Sequence, residues 1–170
     1  MKLAERMSRL GTETAFQVLE KAKKLEGEGV DVIHLEIGEP DFDTPANIVN
    51  AGINALGDGF THYGPSPGLK EVRERIALEV SETRGIPVSA DNVVITPGAK
   101  PIMFFSILAL VDRGDEVIYP NPGFPIYESM INFVGGVPVP MRLDSSSGFK
   151  VNLDEITRQI TPKTKMMILN

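Results

Sequence analysis

The 170-residue sequence contains no cysteine, which excludes disulfides and thiolate-bound metal centres. It also lacks a concentration of one charge. Its 17 basic residues are interspersed among 23 acidic ones, giving a net charge of −6. That leaves neither the electrostatic footprint of a nucleic-acid-binding protein nor a polybasic membrane patch. No apolar run reaches the length of a membrane span. The N-terminus, MKLAERMSRL, carries charges inside what would have to be a signal peptide's apolar core. Internal repeats are absent, and low complexity is confined to the short run from Ser145 to Ser147. The expectation is a soluble, cytoplasmic chain of ordinary apolar content, long enough to bury a real core.

What is present centres on VVITPGAKPIMFFSILALV, from Val93 to Val111. Val93, Val94 and Ile95 read as a short buried strand of the kind found in parallel sheets. A turn follows, then a helix apolar on nearly every face, and too short to cross a membrane. Between them lie Thr96, Pro97, Gly98, Ala99 and Lys100. The first turn of a helix exposes backbone N–H groups, and its dipole favours an anion there. Gly98 lets a ligand approach the backbone, Lys100 adds a positive charge, and Pro101 costs no intrahelical hydrogen bond. These features fit a phosphate cradle. A glycine between strand and helix is also common in α/β proteins without any ligand. The turn matches neither the dinucleotide fingerprint G-x-G-x-x-G nor the P-loop pattern.

The remaining segments follow one another in a regular order. A first helix is predicted from Thr14 to Glu26, with capping-box spacing between Thr14 and Gln17 and one apolar stripe of Ala15, Val18, Leu19, Ala22 and Leu25. Val32, Ile33 and Leu35 suggest a strand running into IGEPDFDTP. The acids of that loop, Glu36, Glu39, Asp41 and Asp43, lack a calcium-loop pattern and read as solvated side chains. Thr44 and Pro45 predict an N-cap and a first-turn proline for a helix bearing Ile48, Val49, Ile53 and Leu56. The loop FTHYGPSPG restricts the backbone around His62 and Tyr63, and a helix with a Leu69, Val72, Ile76, Val80 stripe follows. Glu116 to Tyr119 forms a second strand, ending in the rigid loop PNPGFP from Pro120 to Pro125. Pro125 opens a helix with Ile126, Tyr127, Met130, Ile131 and Val134 facing inward. Val137 to Pro140 is a third strand, Asn152 and Glu155 cap a helix through Ile160, and Lys165 to Leu169 is a further strand.

Alternating strands and helices predict an α/β fold, a mostly parallel sheet with helices on both faces. Ligands of such sheets bind beyond the carboxyl ends of the strands. The Gly98 turn and Phe124 both fall at that end. An anion cradle beside an aromatic ring suits a planar phosphorylated cofactor, although a loop aromatic can equally pack on the core.

Four stretches occur in order: GEPDFDTP, HYGPSPGLKEVRE, TPGAKPIMF and GDEVIYPNPGFPIY. Through them the chain resembles the N-terminal part of class I/II aminotransferases, fold-type-I pyridoxal-phosphate (PLP) enzymes of the aspartate aminotransferase superfamily. The resemblance implies residues 1–43 as an N-terminal arm and small-domain segment. It implies residues 44–170 as the first, truncated part of the cofactor-binding large domain. In that family the segment matching Gly98, Ala99 and Lys100 holds the cofactor phosphate, and the aromatic matching Phe124 stacks on the pyridine ring. The tyrosine matching Tyr63 reaches the phosphate of the neighbouring subunit's cofactor, and the glycine matching Gly38 lies against the substrate carboxylate.

The resemblance further implies transfer of an amino group from an amino acid to a 2-oxo acid within a homodimer sharing its active sites. Two departures stand out. Pro101 replaces a residue that is often polar, and Phe124 offers a stacking face without a polar handle. The Schiff-base lysine, the aspartate facing the pyridine nitrogen and the carboxylate-binding arginine are expected beyond Asn170. No catalytic residue is therefore assigned here, and the 170 residues alone are expected to be inactive. A lyase of the same fold, or a non-catalytic binding or regulatory module, shares the same N-terminal pattern.

Overall fold

The computed structural model describes residues 2–11 and 15–170. Two compact units are present, one formed by Met1–Ile37 with Gly98–Asn170 and the other by Gly38–Pro97.

The first unit holds a three-stranded sheet. Strands β1 (Glu116–Asn121), β2 (Val137–Arg142) and β3 (Thr164–Met167) lie in the order β2–β1–β3, with both pairings parallel. β1 is central because EVIYPN combines β-branched and aromatic residues that can be covered on both faces. Val117, Ile118, Tyr119 and Pro120 are all buried. Alternation along the strand divides them between two cores. Val117 and Tyr119 pack with Ile107, Val111, Tyr127, Met130 and Ile131, residues in or beside helices α4 (Ala99–Leu110) and α5 (Ile126–Val134). Ile118 packs on the other face with Met141 and with Ile156 of helix α6 (Leu153–Gln159). The chain is thus an α/β structure with helices on both faces of a parallel sheet. Tyr119 also bonds across to α5, its hydroxyl donating to Glu128 Oε2 at 3.0 Å. Burial and that carboxylate push the phenol up to about 12.

Helix α1 (Ala15–Gly27) forms as expected, but of the predicted stripe only Ala22 is buried, Ala15 and Leu19 being half-buried and Val18 and Leu25 exposed. The proposed capping residue Thr14 lies outside the described residues. Before it, Arg9 donates to the carbonyls of Asn132 and Phe133 at the end of α5. The Asn152 cap is observed: its side chain accepts from the Asp154 and Glu155 amides at 3.1 and 3.2 Å.

The second unit contains α2 (Ala46–Gly57) and α3 (Lys70–Arg84). Pro45, not Thr44, is the N-cap of α2, and no side chain caps that helix. The predicted stripe of Ile48, Val49, Ile53 and Leu56 is exposed. In α3 the buried residue is Ala77, while Val72 and Ile76 are exposed.

Two expected strands are not formed. Val93 is extended but pairs with no strand among the described residues, and the Ile95 N–H donates instead to the Pro67 carbonyl at 2.9 Å. The segment holding Val32, Ile33 and Leu35 is likewise unpaired, with Ile33 84% and Leu35 89% exposed. β-Branched composition favours extended backbone, but a strand exists only where its amides and carbonyls meet a neighbour. Helix α4 also departs from the expectation of burial all round. Ile107 is buried, whereas Ile102, Phe105 and Leu108 are exposed.

Candidate functional site

The carboxyl ends of β1 and β3 and the start of α4 meet around one hollow of about 430 Å³. Ala99, Ile102 and Met103 line it from α4, Phe124 and Tyr127 from the β1–α5 connection and α5, and Ile168 to Asn170 from the segment after β3. This is the location at which parallel sheets bind ligands.

Gly98 is the N-cap of α4, with φ of 89° and ψ of 178°. That backbone is essentially restricted to glycine. A Cβ built on Gly98 would meet no heavy atom within 4 Å, so the space beside the backbone is open. Ala99 and Lys100 form the first helical positions. An anion at this turn would face the positive end of the α4 dipole.

Phe124 reaches the same hollow by way of a tight turn. The chain leaves β1 through a cis Asn121–Pro122 peptide, and Gly123 follows. A Cβ on Gly123 would clash with the Pro120 carbonyl oxygen, so only glycine fits there. The Phe124 ring is half-buried and meets Tyr127 edge-on, with centroids 5.9 Å apart and planes at 85°. Such T-shaped pairs hold ring orientation. Lys100 Nζ lies 5.6 Å from the Phe124 centroid and 5.8 Å from that of Phe16 on α1. The cation and the ring singled out by the sequence therefore adjoin.

Gly98, Ala99, Lys100 and Phe124 are thus brought together within one unit, whereas Tyr63 and Gly38 belong to the other. Tyr63 is fully exposed in the loop before α3, and Gly38 has open space beside its backbone. Phe16 was not anticipated. It lies off the predicted apolar stripe of α1, and an exposed aromatic on a helix's polar side was the available signal. Among the described residues no cluster of histidine and carboxylates suits a metal ion, and no helix is long and apolar enough to cross a membrane.

The profile of the family described as aminotransferase class I and II matches residues 30–170. A probable aspartate/prephenate aminotransferase of Aquifex aeolicus is 40% identical over 168 residues, covering 99% of this chain and 43% of the relative. The aspartate aminotransferase of Geobacillus stearothermophilus is 38% identical over 170 residues, covering the whole chain and again 43% of the relative. Among solved structures, aspartate aminotransferase from Thermus thermophilus with maleate superposes with a TM-score of 0.92 at 35% identity. That match covers 100% of this chain and 44% of the Thermus chain. The sequence therefore spans less than half the length of the proteins it matches. With a sequence match over most of its residues and the same fold throughout, the chain belongs to the class I and II aminotransferase family.

Proposed function

We propose that the full-length protein is a PLP-dependent aminotransferase, moving an amino group from an amino acid to a 2-oxo acid. This chain would supply the part that grips the cofactor's phosphate and ring. The observation that carries the reading is the glycine-only N-cap of α4, open beside its backbone, whose next residue, Ala99, lines one hollow with the Phe124 ring. The donor set fits the group: a helix start and a lysine for a phosphate dianion, and an aromatic face for a pyridine. When bound, PLP supplies an electron sink for chemistry at the amino acid's α-carbon.

The work of these residues is positioning. The first-turn amides of α4 and Lys100 hold the phosphate, and Phe124 covers one face of the ring and excludes water from it. In a cytoplasmic homodimer with shared sites, the Tyr63 hydroxyl donates to the phosphate held by the neighbouring subunit. Gly38 leaves room for the substrate carboxylate against the backbone. Residues 1–43 serve as an N-terminal arm and 44–170 as the first part of the cofactor-binding domain. Proton transfer belongs to a lysine outside residues 1–170, because no lysine within them sits in a matching motif.

The test uses purified full-length protein. It should retain PLP through desalting and transfer the amino group of an amino acid to a 2-oxo acid. The relatives' names make aspartate the first donor to try. Borohydride trapping followed by peptide mapping should label one lysine outside these residues. Labelling of Lys100 would overturn the assignment of roles. Ammonia release or side-chain loss without a new amino acid would identify a lyase instead.

A further inference from the structure

Arg73 of α3 is a charged side chain whose placement the proposed function leaves unused. Its side chain is only 13% exposed. Nε donates to the Gly68 carbonyl at 3.2 Å and Nη1 to the Ala90 carbonyl at 2.7 Å. Asp91 is 97% exposed and 4.0 Å away, so that ion pair adds little. The guanidinium instead bridges two backbone segments, one of them the turn in which the Gly68 N–H donates to the Pro65 carbonyl at 2.9 Å. The Ile95 N–H holds the adjacent carbonyl of the same turn, that of Pro67. Tyr63 stands two residues before this turn, and its own ring is fully exposed. An exposed ring cannot fix its own direction by packing, so the aim of the hydroxyl depends on the backbone behind it.

We infer that Arg73 is a positioning residue for Tyr63: by clamping Gly68 to Ala90 it sets the loop that presents the Tyr63 hydroxyl to the cofactor phosphate. The inference rests on the reading of Tyr63 given above. A planar fork can satisfy two carbonyls in fixed directions at once, and a lysine ammonium cannot reproduce that geometry.

The experiment is a double-mutant cycle in the full-length holoenzyme, with the PLP dissociation constant as readout. Arg73→Met and Tyr63→Phe are made singly and together. Arg73→Lys is made alongside, since it keeps the charge if Arg73→Met does not fold. Each Arg73 variant should raise the dissociation constant severalfold, and that effect should shrink to within twofold when Tyr63 is already phenylalanine. Loss of general stability would not produce such coupling. An Arg73 effect of the same size in both backgrounds overturns the inference. So does an unchanged constant in the Arg73 variants when Tyr63→Phe alone weakens binding, and in both cases the Tyr63 contact still stands. An unchanged constant in Tyr63→Phe alone removes the Tyr63 contact and the inference with it.

Discussion

Lys100 Nζ lies 5.6 Å from the centre of the Phe124 ring, and the same ammonium lies 5.8 Å from the ring of Phe16. One cation is thus shared between two rings from different parts of the chain. An exposed cation–π contact contributes about 0.5–1 kcal/mol, too little for Lys100 to be needed for folding. In the full-length protein, Lys100→Met should change the unfolding midpoint slightly and weaken PLP retention severalfold. Equilibrium dialysis against PLP, paired with thermal unfolding, separates the two effects. Unchanged retention with lowered stability would assign Lys100 to ring packing alone.

Gly98 and Gly123 should respond differently to alanine. Gly98→Ala meets no steric obstacle but must adopt a backbone that alanine avoids, at a cost of about 1–3 kcal/mol. Its methyl group would also occupy the space proposed for phosphate, so cofactor binding should fall further than stability does. Gly123→Ala drives a Cβ into the Pro120 carbonyl oxygen. The turn must then open, and Phe124 with it. Urea unfolding should rank Gly123→Ala as the less stable variant, and equal midpoints would contradict the geometry.

Tyr63→Phe removes a single hydroxyl from a fully exposed side chain. Stability should be unaffected, while loss of one hydrogen bond of roughly 1 kcal/mol lowers PLP affinity about fivefold. Desalting followed by cofactor quantification measures it.

His34 joins the end of α1 to the segment after it. Its Nδ1 lies 2.6 Å from Glu36 Oε1 and its Nε2 2.9 Å from Glu26 Oε1. A neutral imidazole has one N–H, so both contacts are satisfied together only by the protonated ring. The bond to Glu36, then that to Glu26, raises His34 above its ordinary value, and the same ring lowers Glu36 below the usual carboxylate range. The raised His34 stabilises the fold below the ordinary histidine value and loses that contribution as pH rises through its own. The lowered Glu36 contributes above the ordinary carboxylate value and loses its contribution as pH falls through its own. The clamp is therefore strongest in mildly acidic solution. NMR titration should find His34 above 6.5, returning towards that value in Glu36→Gln. A wild-type His34 titrating at or below it would refute the clamp.

β1 and α6 could be read directly from the sequence because their signals are local. The buried run of β1 is written in four consecutive residues, and Asn152 caps with its own side chain. Val93 to Ile95 uses the same alphabet as β1, yet lacks a strand partner among the described residues, and composition does not name partners. The Gly98 turn was legible from its change of periodicity and its glycine. Phe16 and Arg73 were not. The contact of Phe16 with Lys100 joins positions far apart in sequence, and Arg73 binds backbone carbonyls, which carry no residue signature.

The alternation of β1 between two cores makes the strand a ruler for the hollow at its end. Counting in twos sends Val117 and Tyr119 to one face and Ile118 to the other. Inserting or deleting one residue before Asn121 would invert that parity and turn the Phe124 loop with it. The pairing with β3 already absorbs one such extra residue, Lys165, opposite the step from Glu116 to Val117. The chain tolerates a miscount in β3, whereas one in β1 would misplace both cores and the ring together.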